Sequence, residues 1–131
     1  MDTAGVRAIS VFSGLDDDQC RHVANACEEL EVDAGTKLTE EGEFGYAMFA
    51  VEEGTAEVFR NGALIRTLGP GDVFGEIAVL YGGIRTATVV AKTDMRLVML
   101  FNRELWRLDK EVPQVADTLR HTVADRLGAD S

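Results

Sequence analysis

Between Val32 and Asp72 the chain meets a turn signal at short intervals, and this punctuation constrains the fold more than any other feature. The signals are Asp33-Ala34-Gly35, Glu41-Gly42-Glu43, Glu53-Gly54, Asn61-Gly62 and Gly69-Pro70-Gly71-Asp72. Strand-length runs lie between them: Tyr46–Val51, Thr55–Arg60 and Ala63–Leu68. Runs of this length, broken every 8–12 residues or so, predict an all-β sandwich or barrel. Asn61-Gly62 is a strong tight-hairpin signal, because the favoured two-residue turn needs positive φ at both positions. After the Gly-Pro-Gly-Asp run, Thr86–Ala91 and Arg96–Phe101 read as further strands, for about eight in all.

Helical patterns flank this region. From Asp16 to Leu30, three aspartates at positions 16–18 suit the positive end of a helix dipole. Cys20, Val23, Ala24, Cys27 and Leu30 then form one apolar stripe. A shorter helical piece is expected around Val6 to Ile9. In such a helix Cys20 and Cys27 lie about 10 Å apart along the axis, too far for a disulfide, so both read as small buried apolar groups. Beyond Phe101, Asn102 reads as a helix cap, with Glu104 and Leu105 in the first turn. Pro113 can open a final helix at its first position. That helix carries Val115, Leu119, Val123 and Leu127 four apart on one stripe, and Gly128 is expected to stop it. Trp106, Phe12 and Phe101 are expected in the core or a helix interface. The fold class is mainly β with flanking helices (α+β), in one domain over residues 1–131. Its parts are an N-terminal helical segment 3–30, a β region 31–101 and C-terminal helices 102–127.

With 131 residues, 46% of them hydrophobic, the chain can bury one modest core. Its formal net charge of −10 argues against direct nucleic-acid binding, which relies on clustered Lys and Arg facing phosphates. Net charge is not a map of charge, so a local pocket for one small anion stays open. No apolar run approaches the roughly 18 residues of a membrane span, and Met1-Asp2-Thr3 lacks a basic, apolar leader. Membrane insertion is not expected and a cytoplasmic location is. His22 and His121 stand far apart on helical segments, which does not support a three-ligand metal site. No serine or cysteine sits in a local nucleophile motif. The chain is expected not to be an enzyme.

The stretch "FGEIAVLYGGIRTATVV", Phe74 to Val90, carries the chemistry. Arg85 is hemmed in by Ile84 and Ala87, and an isolated buried arginine costs several kcal/mol or so unless paired. Phosphate suits it, because the planar guanidinium donates two parallel hydrogen bonds. Glu76 starts a short helix whose first N–H groups lack intrahelical partners and favour an anion. Gly75 lets a ligand approach the backbone, and Gly82-Gly83 lets the chain reverse and bring Arg85 opposite that helix start. Glu76, a strong acceptor, then suits a sugar hydroxyl beside the phosphate. The competing reading pairs a solvated Glu76 directly with Arg85, and spacing leaves both open.

Phe74-Gly75-Glu76-Ile77-Ala78 followed by Arg85-Thr86-Ala87 resembles the phosphate-binding cassette of the cyclic nucleotide-binding domain family. That family includes regulatory subunits of cAMP-dependent protein kinase, catabolite activator proteins and cyclic nucleotide-gated channels. The resemblance extends through "VFSGLDDDQ", "EEGEFGYAMFAVEEGTAEVF" and "LGPGDVFGE", covering roughly residues 9–127. It implies an eight-stranded jelly-roll β-barrel with N-terminal helices, a cassette helix and two C-terminal helices. It implies that Arg85 pairs with the cyclic phosphate and that Glu76 accepts from the ribose 2′-hydroxyl. Gly75, Ala78 and Ala87 would lie against the ligand, with the N–H groups of Ala78 and Ala87 as phosphate donors. Thr86 would face the phosphate or the purine, with Phe74 and Ile77 completing the cassette.

By this resemblance the ligand is cAMP in preference to cGMP, with no metal, and the chain is a regulatory sensor. An alternative is an interaction domain that kept the barrel but lost useful binding; the intact Glu76 and Arg85 speak against it. No helix-turn-helix, kinase-inhibitor segment or second cassette is found within these residues, so the signal is expected to pass through the final helix to an effector not identified by the sequence. The final helix offers no aromatic cap for the purine, leaving Leu119 and Val123 as candidate lid residues. Its stripe can lie on the barrel, over the ligand, or against a second copy of the chain in a homodimer.

Overall fold

The computed structural model describes residues 1–81 and 83–130, with the side chains of 81, 122, 123 and 126–130 outside the described set. Helix α1 (Thr3–Arg7), a 3-10 turn (Ser10–Phe12) and helix α2 (Asp17–Ala26) lead into the sheets. The strands are β1 (Glu28–Val32), β2 (Lys37–Thr39), β3 (Ala47–Glu53), β4 (Ala56–Arg60), β5 (Ala63–Leu68), β6 (Val73–Phe74), β7 (Thr88–Ala91) and β8 (Met95–Phe101). Helix α3 (Glu76–Tyr81) interrupts them, and α4 (Asn102–Glu111) and α5 (Pro113–Asp130) follow. The strands form two four-stranded antiparallel sheets, ordered β1-β8-β3-β6 and β2-β7-β4-β5. This is the eight-stranded jelly roll with flanking helices that the family resemblance implies.

The strand alternation sets up two cores. On β3 and β8, Phe49, Val51, Met95 and Leu97 point between the sheets, where Val58, Leu68, Phe74, Val89 and Ala91 meet them. Met48, Ala50, Val98 and Leu100 point to the opposite face and pack under Val6, Phe12, Val23, Leu105, Leu108, Val115 and Leu119. Buried on both faces, these strands read as near-continuous apolar runs. Full burial of each such side chain contributes about 1.5–3 kcal/mol.

Local chemistry explains the junctions. Asn61 (φ 52) and Gly62 (φ 80) make the β4–β5 turn, as their dipeptide predicts. Asp16 caps α2 through a reciprocal box with Gln19. Pro113 opens α5 at its first position.

Four expectations are corrected. Helix α2 ends at Ala26, and Cys27 is already extended (ψ 145). Residues 28–32, read as the end of the helical segment, are strand β1, drawn out by pairing Leu30 with Leu97 and Val32 with Met95 on β8. Both cysteines are free. Asn102 is not the cap: Phe101 holds that position without a side-chain bond, while the Asn102 amide donates to Tyr46 O at 2.7 Å. Helix α5 runs past Gly128 to Asp130. Trp106 is exposed, because it falls off the α4 face that buries Leu105 and Leu108. Among the described residues, no helix is long and apolar enough to cross a membrane.

Candidate functional site

The site forms where β6 breaks into α3. Strand β6 ends at Phe74, and Gly75 turns the chain in the left-handed region (φ 81), where a Cβ is unfavourable. Helix α3 then starts at Glu76, which is fully buried. Gly83, also left-handed (φ 81), donates its N–H to Ala78 O at 2.6 Å and turns the chain back. Gly82, expected to share that turn, lies outside the described residues. The returning segment forms a bridge between Ile84 and Phe44 and then reaches Arg85.

Arg85 is only 8% exposed. Its Nη1 donates to Gly75 O at 3.0 Å and its Nη2 to Ala47 O at 2.7 Å. Its Cζ lies 5.9 Å from the centre of the Phe49 ring, which itself stacks on Phe74 at 5.0 Å. Burial lowers the pKa of the guanidinium, and the nearby Glu76 carboxylate raises it. Main-chain carbonyls satisfy guanidinium donors without neutralising the charge. The buried carboxylate therefore provides the local counter-charge, and a bound anion would add to it.

The structure brings Phe74, Gly75, Glu76, Ile77, Ala78, Arg85, Thr86 and Ala87 to one cleft. Other elements complete it with residues that sequence reasoning missed: Thr39 from β2, Val58 from β4, Arg66 and Leu68 from β5, and Val89 from β7. Thr39 is buried and donates from Oγ1 to Ala87 O at 2.9 Å, tying β2 to the cassette's end. Strand alternation could have pointed Val58 and Val89 inward, but nothing local marks their convergence on Glu76.

Leu119 is not in the cleft. It is fully buried in the helical core with Phe12 and Val115, on the outer side of the sheet. The side chain of Val123, the other candidate lid, lies outside the described residues, as does that of Leu127. Val79 and Leu80, on α3, pack into this same helical core. One face of α3 thus looks into the cleft and another touches the packing of α5.

The cleft combines a buried cation, a buried carboxylate, hydroxyl groups and aliphatic walls. That set suits a ligand with an anionic end, a hydroxyl beside it and a flat apolar body. Among the described residues no group of three or more His, Cys, Asp or Glu could hold a metal ion.

Fold and site together define a jelly-roll ligand-binding domain. Residues 29–111 match the family profile of the cyclic nucleotide-binding domain, and the chain belongs to that family. It is 32% identical over 124 residues to the cAMP-dependent protein kinase regulatory subunit of Schizosaccharomyces pombe, covering 94% of this chain and 29% of that protein. It is 32% identical over 107 residues to the cGMP-dependent protein kinase of Plasmodium berghei, covering 82% of this chain and 12% of that protein. The chain thus spans less than a third of either relative. Among solved structures, cAMP-bound PfPKA-R superposes with a TM-score of 0.89 at 25% identity, covering 97% of this chain and 44% of that one. The Thermus thermophilus catabolite activator protein gives 0.83 at 30% identity, covering 89% and 57%.

Proposed function

We propose that this chain binds a cyclic purine nucleotide in the cleft and serves as a regulatory module rather than an enzyme. The observation that carries the reading is a fully buried Glu76 and a nearly buried Arg85 lining one cleft beside the start of α3. In this reading Arg85 and the N–H groups of Ala78 and Ala87 hold the cyclic phosphate. Glu76 accepts from the ribose 2′-hydroxyl, and Val58, Leu68 and Val89 cover the purine. The ligand's charge compensates an arginine that burial makes costly.

The preferred ligand is cAMP, in keeping with the cAMP-bound relative that shares the fold. A second reading, cGMP, is favoured by Arg66 on the cleft wall. An arginine can donate to both N7 and O6 of guanine, whereas adenine offers N7 beside a donor. The Thr86 hydroxyl is compatible with either base. Calorimetric titration of the purified chain with both nucleotides tests the function and the choice together. Tighter cAMP binding supports the first reading; tighter cGMP binding that falls to parity in Arg66→Ala supports the second; heat from neither ligand defeats both.

The signal is proposed to leave through α5. Helix α3 gives Glu76 and Ala78 to the cleft and Val79 and Leu80 to the core that holds Val115 and Leu119. A ligand that fixes α3 can bias the seating of α5 only by binding its two placements with different affinity. The effector, and any second copy of the chain, would read that seating.

A further inference from the structure

We propose that Gly45, outside the cassette motif, is the positioning residue for Arg85: its missing side chain is the space the guanidinium occupies. The role of the held arginine in ligand binding rests on the reading above, but the geometry stands apart from it. A Cβ built on Gly45 would lie 2.0 Å from Arg85 Nε and 2.2 Å from Cζ. Those are distances at which something must move.

Both partners are held in place. The backbone of the Gly45 segment is laced to the segment that bears Arg85. Gly45 N–H donates to Gly83 O at 2.6 Å, Gly42 N–H to Arg85 O at 3.0 Å and Arg85 N–H to Glu43 O at 2.8 Å. On its far side Arg85 is fixed by Gly75 O, Ala47 O and the Phe49 ring. Gly75 forms the other wall, since a Cβ there would meet Arg85 Nη1 at 2.6 Å.

The two glycines differ in one respect. Gly75 needs its left-handed φ of 81, so any residue there is strained whatever the space. Gly45 is not in the left-handed region, so a positive φ is not what requires glycine there. The three atoms nearest such a Cβ all belong to Arg85, the third being Cδ at 2.7 Å. Arg85 lies 40 residues further along the chain, which is why no local pattern announces the requirement.

The test is a double-mutant cycle on the full chain, read in two ways. In ligand-free protein, Gly45→Ala should lower the melting temperature when Arg85 is present and leave it unchanged when Arg85 is alanine. With cAMP or cGMP, whichever wild type binds, Gly45→Ala should weaken binding about 10- to 100-fold, the scale of a 1 Å misplacement. The same change on Arg85→Ala should alter affinity by less than about twofold, the ordinary scatter of independent sites. Should Gly45→Ala alone fail to fold, Gly45→Ala/Arg85→Ala should still fold as well as Arg85→Ala. Equal destabilisation in both backgrounds, a double variant that stays unfolded, or a folded Gly45→Ala that binds as wild type would overturn the proposal. The melting arm needs no ligand. A chain that binds no nucleotide but shows thermal coupling keeps the Gly45–Arg85 assignment and loses only the ligand reading.

Discussion

Replacing Arg85 by alanine should abolish most ligand affinity while leaving the domain folded. For stability, opposing terms offset one another only in part. The change removes charge-assisted hydrogen bonds to Gly75 O and Ala47 O, worth about 1.5–3 kcal/mol each, and a contact with the Phe49 ring worth about 0.5–1 kcal/mol. Against these losses it relieves the burial of a cation that desolvation penalises, but it also leaves the buried Glu76 carboxylate without its nearby cation. The melting temperature should therefore fall, by about 2–8 °C for each net kcal/mol lost in a domain near this size. Binding has no such offset. Truncating one partner of a buried charge pair costs about 2–5 kcal/mol, or roughly 30-fold to several-thousand-fold in affinity. Arg85→Lys should fall between, because an ammonium keeps the charge but cannot span Gly75 O, Ala47 O and a phosphate with one planar fork. Calorimetry beside a thermal melt measures both quantities on one preparation. An Arg85→Ala protein that melts like wild type and binds within about threefold of it would refute the reasoning.

Two further outcomes follow from the same geometry. Glu76→Gln should weaken binding by about 1–2 kcal/mol, as a charge-assisted hydrogen bond becomes a neutral one. The 2′-deoxy nucleotide should lose affinity for wild type and little further for Glu76→Gln; equal losses in titrations of both would remove Glu76 from ribose recognition. Burial pushes the Cys27 thiol up to about 12, with the Glu52 carboxylate adding to the rise. At pH 8 the thiolate is then about one part in ten thousand. Native protein should therefore resist thiol reagents at Cys27 until denatured, and rapid native labelling at that residue would contradict the burial.

What could be read from the sequence was local chemistry; what could not was long-range pairing. Asn61-Gly62 announced its turn because no other dipeptide meets that backbone so cheaply. Pro113 announced α5 because proline lacks the donor that a first helical turn leaves unused. The cassette was legible because its charged and glycine residues sit within 14 positions, Phe74 to Ala87. Strand β1 was missed because Cys27 and Leu30 happen to continue the helical spacing of Cys20 and Val23. Its partner β8 lies more than 60 residues away, pairing Glu28 with Met99. Two-residue β6 and three-residue β2 are too short to carry a period. Gly45 and Thr39 meet Arg85 and Ala87 only in three dimensions. Leu119 looked available as a lid because its stripe has a face but no address; folding turned that face to the helical core.

Hydrogen exchange with and without ligand tests the central claim most directly, because it locates the ligand and follows its effect. If the cleft is the site and α3 passes the event to α5, saturating cyclic nucleotide should slow exchange in peptides spanning residues 74–87 and, separately, in 113–121. Strand β1 at 28–32, which gives no residue to the cleft lining, should change little. Protection at 74–87 alone would leave a domain that binds without signalling through α5. No protection at 74–87, under conditions where binding is saturated, would contradict the assignment of the site itself.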